Sequence, residues 1–219
     1  MHPDLEPERL LAAYATGIFP MADCETGELY WLSPHVRGII ELDRFHVPRS
    51  LRSVCRSGRF ELIADSAFAE VIAGCADRPQ GTWISDDIRE AYTTLHELGF
   101  AHSVEVWQEG QLVGGLYGVA LGGAFFGESM FHRVRDASKV ALVALVARLR
   151  ERGFTLLDVQ FVTDHLHRFG AVTIWRDDYE RRLRRALQQT CRFAEPGERL
   201  QARLPPSSKG GGRNASPPG

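Results

Sequence analysis

The feature that most constrains the fold is a run of apolar residues in segment 102–131 that is broken at two glycine turns. The segment reads HSVEVWQEGQLVGGLYGVALGGAFFGESMF, and Glu109-Gly110 and Gly122-Gly123 divide it into three stretches. Short turns that contain glycine join antiparallel strands, because glycine readily adopts the left-handed backbone that such turns require. The sequence therefore predicts three consecutive antiparallel strands.

The segments after these strands alternate between helical and extended patterns. They are ASKVALVALVARLRERG, which Gly153 ends, then TLLDVQFV, a short helix that ends at Gly170, AVTIW, and the basic helix DDYERRLRRALQQ. The order β-β-β-α-β-α-β predicts a mixed sheet with helices on its faces. The fold class that we expect is therefore α+β.

The first 80 residues are expected to form a separate unit. A helix follows Pro7, strands follow in YWLSPHVRGIIEL and RFELIA, and an arginine-rich helix lies between them. We expect a small N-terminal α/β domain at 1–80, a mixed-sheet catalytic domain at 81–195, and a disordered tail at 196–219. The tail is rich in proline, glycine and serine and has little apolar area to offset the entropy of ordering.

Composition excludes several classes of protein. The cysteines at positions 24, 55, 75 and 191 form no CxxC pair, which indicates reduced thiols in a cytoplasmic protein rather than a zinc site or a disulfide framework. The sequence shows no signal peptide and no apolar run long enough to span a bilayer. A net charge of −2 excludes a uniformly basic chain but allows a local basic face.

Three polar side chains are candidates for a reactive site. Glu128 lies between Gly127 and Ser129 in an otherwise apolar strand, and the alternative is an ordinary salt bridge with Arg133 or Lys139 at the strand end. Asp158 and Gln160 are two apart on a predicted strand, so we expect both on one sheet face. A carboxylate and an amide side by side can hold an ammonium group, whereas the alternative is a polar strand end facing water.

Two further sets of residues allow two interpretations each. Apolar side chains that could line a pocket are equally typical of a core, and they are Trp31, Trp83, Leu116, Phe125, Met130 and Leu145. The arginines between Arg37 and Arg59 include Arg44, Arg49 and Arg52. They could bind phosphates, or they could form a solvated helix face.

Seven stretches occur in one order and together closely resemble the leucyl/phenylalanyl-tRNA–protein transferase family from about Leu10 to Leu187. They are YATGIFPM, YWLSPHVRG, DRFHVPRSLR, TWISDDIREAYTTLHELGFAHSVEVW, LVGGLYGVALGGAFFGESMF, ASKVAL and LLDVQF. The resemblance implies transfer of leucine or phenylalanine from charged tRNA to the N-terminal arginine or lysine of a protein. It also implies an acetyltransferase-like (GNAT) fold for the C-terminal half.

The resemblance assigns roles by position. Glu128, Asp158 and Gln160 correspond to the polar site residues of the family, and Trp31 to the aromatic that stacks on the terminal adenine of the tRNA. The pocket for the apolar amino acid is implied at Trp83, Leu116, Phe125, Met130, Leu145 and Leu157. Departures at Met21, Phe126, His132 and Trp175 affect the shape of the pocket more than its chemistry.

The resemblance also sets expectations about partners. We expect leucyl-tRNA and phenylalanyl-tRNA as donors and a monomer that needs no cofactor, metal or membrane, because an aminoacyl ester is already activated. One alternative is an amine acetyltransferase that uses acetyl-CoA, against which the loop HRVRDASK speaks because it has no glycine. The other is an RNA-binding module without catalysis.

Overall fold

The computed structural model describes residues 2–23 and 26–205 and has an α+β fold. Across those ranges it contains nine strands and seven α-helices. The strands are β1 Phe19–Ala22, β2 Leu29–Leu32, β3 Val36–Ile40, β4 Glu61–Ala64, β5 Ala101–Gln108, β6 Gln111–Leu121, β7 Ala124–His132, β8 Leu156–Gln160 and β9 Ala171–Trp175. The helices are α1 Pro7–Ala15, α2 Arg49–Arg56, α3 Phe68–Ala76, α4 Asp86–Glu97, α5 Ala137–Glu151, α6 Asp164–His167 and α7 Arg176–Leu187. Of the helices described, none is long and apolar enough to cross a bilayer.

Seven of the strands form one mixed sheet in the order β4-β5-β6-β7-β8-β3-β9, while β1 and β2 form a separate hairpin. Strands β7 and β8 run parallel, and every other neighbouring pair in the sheet is antiparallel. The parallel pair needs a crossover, which α5 supplies. The predicted mixed sheet with flanking helices is confirmed.

The three predicted antiparallel strands are confirmed as β5, β6 and β7. Glu109 and Gly110 have φ values of 51° and 74°, which are the left-handed values of a two-residue hairpin turn. Gly122 has a φ of 58° in the second turn. The glycine signal therefore located both turns correctly.

Two apolar cores cover the two faces of the sheet. Helix α5 packs on one face, where Leu142 and Leu145 meet Leu116 and Leu157. Helices α1, α3, α4 and α7 cover the other face with a second cluster of buried side chains. Helices thus cover both faces of the sheet where β7 and β8 pair.

The domain boundary that we expected near residue 80 is wrong for the sheet. Strands β3 and β4 precede residue 80, yet both belong to the same sheet as β5–β9. Strand β3 lies between β8 and β9, so that Ile40 pairs with Leu157 and with Ala171. These partners are more than 110 positions away in sequence, and local patterns carry no information about such pairing.

The expectation of a disordered tail is wrong for residues 196–205, and residues 206–219 lie outside the described residues. Gly197 N–H donates to Ala64 O at 2.7 Å, and Leu200 N–H donates to Leu62 O at 2.8 Å. The segment therefore covers the outer edge of β4, which otherwise leaves unpaired backbone groups. Leu200 is buried in the core beside α5, so this segment does contribute apolar area.

Candidate active site

A cavity of about 720 Å³ opens where β7 and β8 separate. The ladder between these parallel strands runs from Ala124–Leu156 to Phe126–Asp158 and goes no further. The next residues of each strand, 127–130 and 159–160, line the cavity. Residues of both cores reach its walls, for example Leu116 from the α5 side and Tyr117 from the opposite side.

Glu128 points into this space because β7 carries a β-bulge. Tyr117 of β6 pairs with Ser129 and Gly118 pairs with Gly127, so Glu128 is the extra residue between them. A bulge leaves its extra residue outside the ladder and redirects its side chain. This answers why a carboxyl group occurs in the middle of an apolar strand.

Hydroxyl and amide groups surround the Glu128 carboxyl. The Tyr14 hydroxyl donates to Oε1 at 2.7 Å, Gln160 Nε2 donates to the same oxygen at 3.2 Å, and the Tyr92 hydroxyl lies 3.5 Å from Oε2. The Tyr14 and Tyr92 hydroxyls also contact each other. Burial raises the pKa of the Glu128 carboxyl to about 8, although the hydrogen bond from Tyr14 acts in the opposite direction.

Gln160 reaches the cavity because the backbone of β8 turns sharply there. Gln160 has a φ of 54°, which is uncommon for a residue with a side chain and is typical of functional sites. Gly38 of β3 makes room for the turn, since a Cβ atom at that position would lie 2.9 Å from the carbonyl carbon of Phe161. Asp158 and Gln160 therefore do not share one surface as the strand spacing predicted, because Gln160 lines the cavity and Asp158 does not.

Asp158 lies beneath the cavity in a closed network. It is 0% exposed, and Arg37 donates to both of its oxygens, from Nε at 2.9 and 3.0 Å and from Nη2 at 2.7 Å. The Tyr179 hydroxyl and the Gln160 backbone N–H complete the shell at 2.5 and 2.8 Å. Asp158 therefore holds the backbone of Gln160, and it does not face water as the alternative interpretation required.

Arg37 anchors this network to the rest of the fold. It is 2% exposed and its guanidinium lies between the rings of Phe19, at 4.3 Å, and Tyr179, at 4.8 Å. Its Nη1 donates to Gly17 O at 2.9 Å, directly after α1, the helix that carries Tyr14. The network under the cavity and the shell of Glu128 are thus joined through the end of α1.

The salt-bridge alternative for Glu128 is wrong. Lys139 Nζ pairs with Asp136 at 2.6 Å, and Arg133 donates to Leu112 O at 3.2 Å. In the part of the chain that the structure describes, Glu128 forms no ion pair with a basic side chain. The carboxyl is left with neutral donors, which fits its raised pKa.

Most of the expected pocket residues line the cavity, and two do not. Those that line it are Trp83, Leu116, Met130, Leu145 and Leu157. Met21 and His132, which were expected to affect the shape of the pocket, also line it, as do Phe19 and Leu142, which were not expected. Phe125 is fully buried and packs on Phe193 at 5.2 Å between ring centroids. Trp31 lies on β2 opposite Pro20, and only Pro20 belongs to the wall.

The three arginines that we considered for phosphate binding lie away from this cavity. Arg44 is exposed and pairs with Glu41 at 3.4 Å. Arg49 is exposed on the first turn of α2, and Arg52 is half-buried with its Nε donating to Val47 O at 3.0 Å. A solvated helix face and an electrostatic contact surface are both compatible with this arrangement.

Sequence interpretation missed four residues that build the site, namely Arg37, Tyr14, Tyr92 and Tyr179. Arg37 and Tyr179 are 121 and 21 positions from Asp158, and Tyr14 and Tyr92 are 114 and 36 positions from Glu128, so no spacing rule relates them. The one available signal was the presence of Tyr14 on the apolar stripe of a helix, where a hydroxyl must find a partner.

Two family models match the chain. The model of the leucyl/phenylalanyl-tRNA protein transferase matches residues 39–184, and the model of its N-terminal domain matches residues 3–35. Among solved structures, L-PGS from Bacillus licheniformis has a TM-score of 0.39 and 14% identity, over 74% of this chain and 55% of that chain.

Three curated relatives are each named leucyl/phenylalanyl-tRNA–protein transferase. The protein from Salinibacter ruber is 57% identical over 85% of this chain and 82% of its own length. The protein from Paramagnetospirillum magneticum is 57% identical over 86% and 92%, and that from Zymomonas mobilis is 55% identical over 88% and 74%. The matched regions contain the split between β7 and β8, and on these matches the chain belongs to the leucyl/phenylalanyl-tRNA–protein transferase family.

Proposed function

We propose that this chain transfers leucine or phenylalanine from charged tRNA to the N-terminal arginine or lysine of an acceptor protein. The added residue would then mark the acceptor for degradation. Family membership supports the reaction class. The observation that carries the proposal at the level of chemistry is the bulge at Glu128, which presents a carboxyl group beside an apolar wall in one cavity.

The apolar wall supports an uncharged donor side chain. Leu116, Leu142, Leu145 and Leu157 border the cavity from the α5 side, with Met130 beside them. A polar side chain buried there without a partner would cost roughly 1–3 kcal/mol, which disfavours polar amino acids. Met130 is unbranched and flexible, a property that suits a wall meeting both branched and aromatic groups.

Glu128 is our candidate for the group that takes the proton of the attacking amine. Its pKa of about 8 lies beside the value of about 7.7–8.0 for an N-terminal amino group. A proton can therefore pass between the two at small cost, which is the condition for efficient general-base catalysis near neutral pH. The ionised carboxyl takes one proton from the ammonium group, and this leaves the neutral amine that acts as the nucleophile.

The reaction then proceeds by attack of the amine nitrogen on the ester carbonyl carbon. The C–N bond of the new peptide forms and the bond to the ribose oxygen breaks. Protonated Glu128 gives its proton to that oxygen, which leaves as a hydroxyl, and the Glu128 carboxylate takes the second proton that the nitrogen loses. The side-chain amide of Gln160 would bind the carbonyl oxygen on which negative charge develops. Alignment of the two reactants can supply roughly 7–11 kcal/mol of the barrier.

Asp158 enters the proposal as a positioning residue. Both of its oxygens are occupied by Arg37, Tyr179 and the Gln160 backbone, and it has no exposed surface. It would act by fixing the turn at Gln160. The resemblance implies only that Asp158 is one of the polar site residues, and these contacts support a positioning role for it.

The remaining expectations about donor binding stay proposals. Arg44, Arg49 and Arg52 would contact tRNA phosphates without reading sequence, and Trp31 would stack on the terminal adenine from beside Pro20. The unit β7-α5-β8, with its separating parallel strands, supports a GNAT-like description of the sheet. A cytoplasmic location fits the free thiols of Cys55, Cys75 and Cys191, and the monomeric state stays an expectation from the resemblance.

A transfer assay tests the proposal against its alternatives. Leucyl-tRNA, the enzyme and a peptide that begins with arginine should yield a peptide extended by one leucine, with no other cofactor added. A peptide acetylated from acetyl-CoA would instead indicate an amine acetyltransferase. Binding of tRNA without any transfer would indicate an RNA-binding module and would refute the proposal.

A further inference from the structure

The end of the cavity at the N-terminus of α5 carries excess positive charge. Arg133, Arg135 and Lys139 lie within four residues of the N-terminus of α5 and line the cavity, which Arg78 also lines. The acidic groups there are Asp136, which is paired with Lys139 and Arg135, and Glu128, whose raised pKa keeps it largely protonated at neutral pH. An anion is therefore the ligand class that this end attracts.

The first turn of α5 leaves backbone donors free. The N-cap residue Asp136 has a φ of 70° and its side chain makes no cap hydrogen bond. The first helical bond is from Val140 N–H to Asp136 O at 3.0 Å, so the N–H groups of Ser138 and Lys139 have no partner within the helix. Such groups, with the helix dipole behind them, bind anions.

Two side chains give an independent observation at the same place. Ser138 lines the cavity, is only 5% exposed, and its hydroxyl has no hydrogen-bond partner among the described residues. His165 also lines the cavity, and its Nε2 is fully buried without a partner in the same part of the chain. Buried polar groups are almost always hydrogen-bonded, so the Ser138 hydroxyl and His165 Nε2 offer two positions for the polar atoms of a ligand.

We infer that this end of the cavity holds the 5′-phosphate of the terminal nucleotide of the donor RNA, bound by Ser138, Lys139 and the free N–H groups of the first turn. The inference rests on the proposed function and deepens it. A phosphate offers several acceptor oxygens, which matches a site made of a hydroxyl, two N–H groups and an ammonium. Two acidic side chains lie on the described wall of the cavity. Asp136 is paired with Lys139 at 2.6 Å and with Arg135 at 3.7 Å, and Glu128 is largely protonated.

The spacing along α5 agrees with this assignment. Ser138, Leu142 and Leu145 all line the cavity, so they share one helix face. At 1.5 Å per residue, Leu142 and Leu145 lie about 6 and 10 Å along the axis from Ser138. The distance from a phosphate at Ser138 to an aminoacyl side chain against the two leucines would thus match the distance between these two groups in one aminoacylated nucleotide.

The test compares two donors that differ only in this phosphate. The leucyl ester of adenosine and the leucyl ester of adenosine 5′-phosphate react with one arginine-initiated peptide, and the ratio of their kcat/KM values is measured. We expect the phosphate to raise kcat/KM roughly tenfold or more in the unaltered enzyme, with a smaller gain at high salt. Ser138→Ala and Lys139→Met should each move the ratio towards one.

Arg150→Met is the matched control, because Arg150 is an exposed cation at the opposite end of α5. It should keep the ratio of the unaltered enzyme. Equal use of the two esters, use of neither ester, or an unchanged ratio in both site variants would overturn the inference. Loss of transfer from intact leucyl-tRNA would instead refute the proposed function, and acetylation by acetyl-CoA would assign the phosphate site to coenzyme A.

Discussion

The two carboxyl groups at the split between β7 and β8 have opposite environments. Asp158 is fully buried and forms an ion pair with Arg37, and all of its contacts are made within the fold. Glu128 meets only neutral donors and borders a cavity, and burial raises its pKa to about 8. Two acids on neighbouring strands can therefore serve different purposes, one fixing the backbone and the other holding an exchangeable proton.

The largest effect is expected from breaking the closed network. Arg37→Met leaves Asp158 buried without its counter-charge, and removing one partner of a buried pair costs about 3–5 kcal/mol. Urea unfolding should show a loss of that size. The double variant Arg37→Met with Asp158→Leu should recover much of the stability without restoring transfer, since Gln160 loses its anchor. Full recovery of both would show that the network has no positioning role.

A smaller effect is expected from Glu128→Gln, which should lower the activity but raise the stability of the fold. Glu128→Gln should lower kcat/KM for the acceptor peptide by about a hundredfold, because the proton acceptor is lost. The same change should stabilise the fold at alkaline pH, since an ionised carboxyl is no longer forced into a buried site. A variant with unaltered transfer would remove Glu128 from the chemistry.

The pH dependence of stability follows from the same shift. The folded state keeps a proton on Glu128 up to about pH 8, whereas the unfolded chain releases it near the ordinary value of 4.5. The contribution of this group to stability is complete below about 4.5 and is lost as the pH rises to about 8, on the order of a few kcal/mol at most. Glu128→Gln should abolish this part of the profile.

An apolar residue on the cavity wall can also be compared with one that is buried in the core. Leu116 lines the cavity, whereas Phe125 packs on Phe193 away from it. Leu116→Ala should favour phenylalanine over leucine as donor, by roughly tenfold in the ratio of kcat/KM values, because the ring fills the new space. Phe125→Leu should lower stability and leave that ratio unchanged. Equal responses of the two variants would contradict the boundary drawn for the cavity.

The smallest expected effect is a displacement of the pH profile. The Tyr14 hydroxyl donates to Glu128 at 2.7 Å and lowers the carboxyl pKa against the effect of burial. Tyr14→Phe should therefore move the rise of kcat/KM to higher pH, by up to about one unit for the loss of one hydrogen bond. A shift to lower pH would mean that Tyr14 stabilises the protonated form instead.

The part of the fold that could be predicted from sequence is the part that depends on contacts between residues close together in the chain. The strands β5, β6 and β7 and their turns were predictable, because glycine requirements and apolar patterning act over a few residues. The position of β3 between β8 and β9 was not, because Gly38 and Gln160 meet only after folding. The order of residues 196–205 was missed because the pairing to β4 and the burial of Leu200 depend on contacts that are distant in sequence.

The site shows the same division between local and distant information. Glu128 could be singled out because a carboxyl group in an apolar strand requires a polar partner or a functional role. Five apolar residues of the cavity wall were expected from the family resemblance. The burial of Asp158 under Arg37 could not be predicted, since 121 positions separate them. The bulge at Glu128 and the positive φ of Gln160 depend on the register with neighbouring strands, which sequence spacing does not define.

The most direct test of the central claim is a titration of the Glu128 carboxyl. Carbon-13 NMR of protein labelled at the glutamate side-chain carboxyl would follow its protonation, and Glu128→Gln would identify the resonance by its absence. We predict a midpoint near pH 8, with the group largely protonated at pH 7. A midpoint between about 4 and 5, like that of an ordinary glutamate, would contradict the assignment of Glu128 as the proton acceptor.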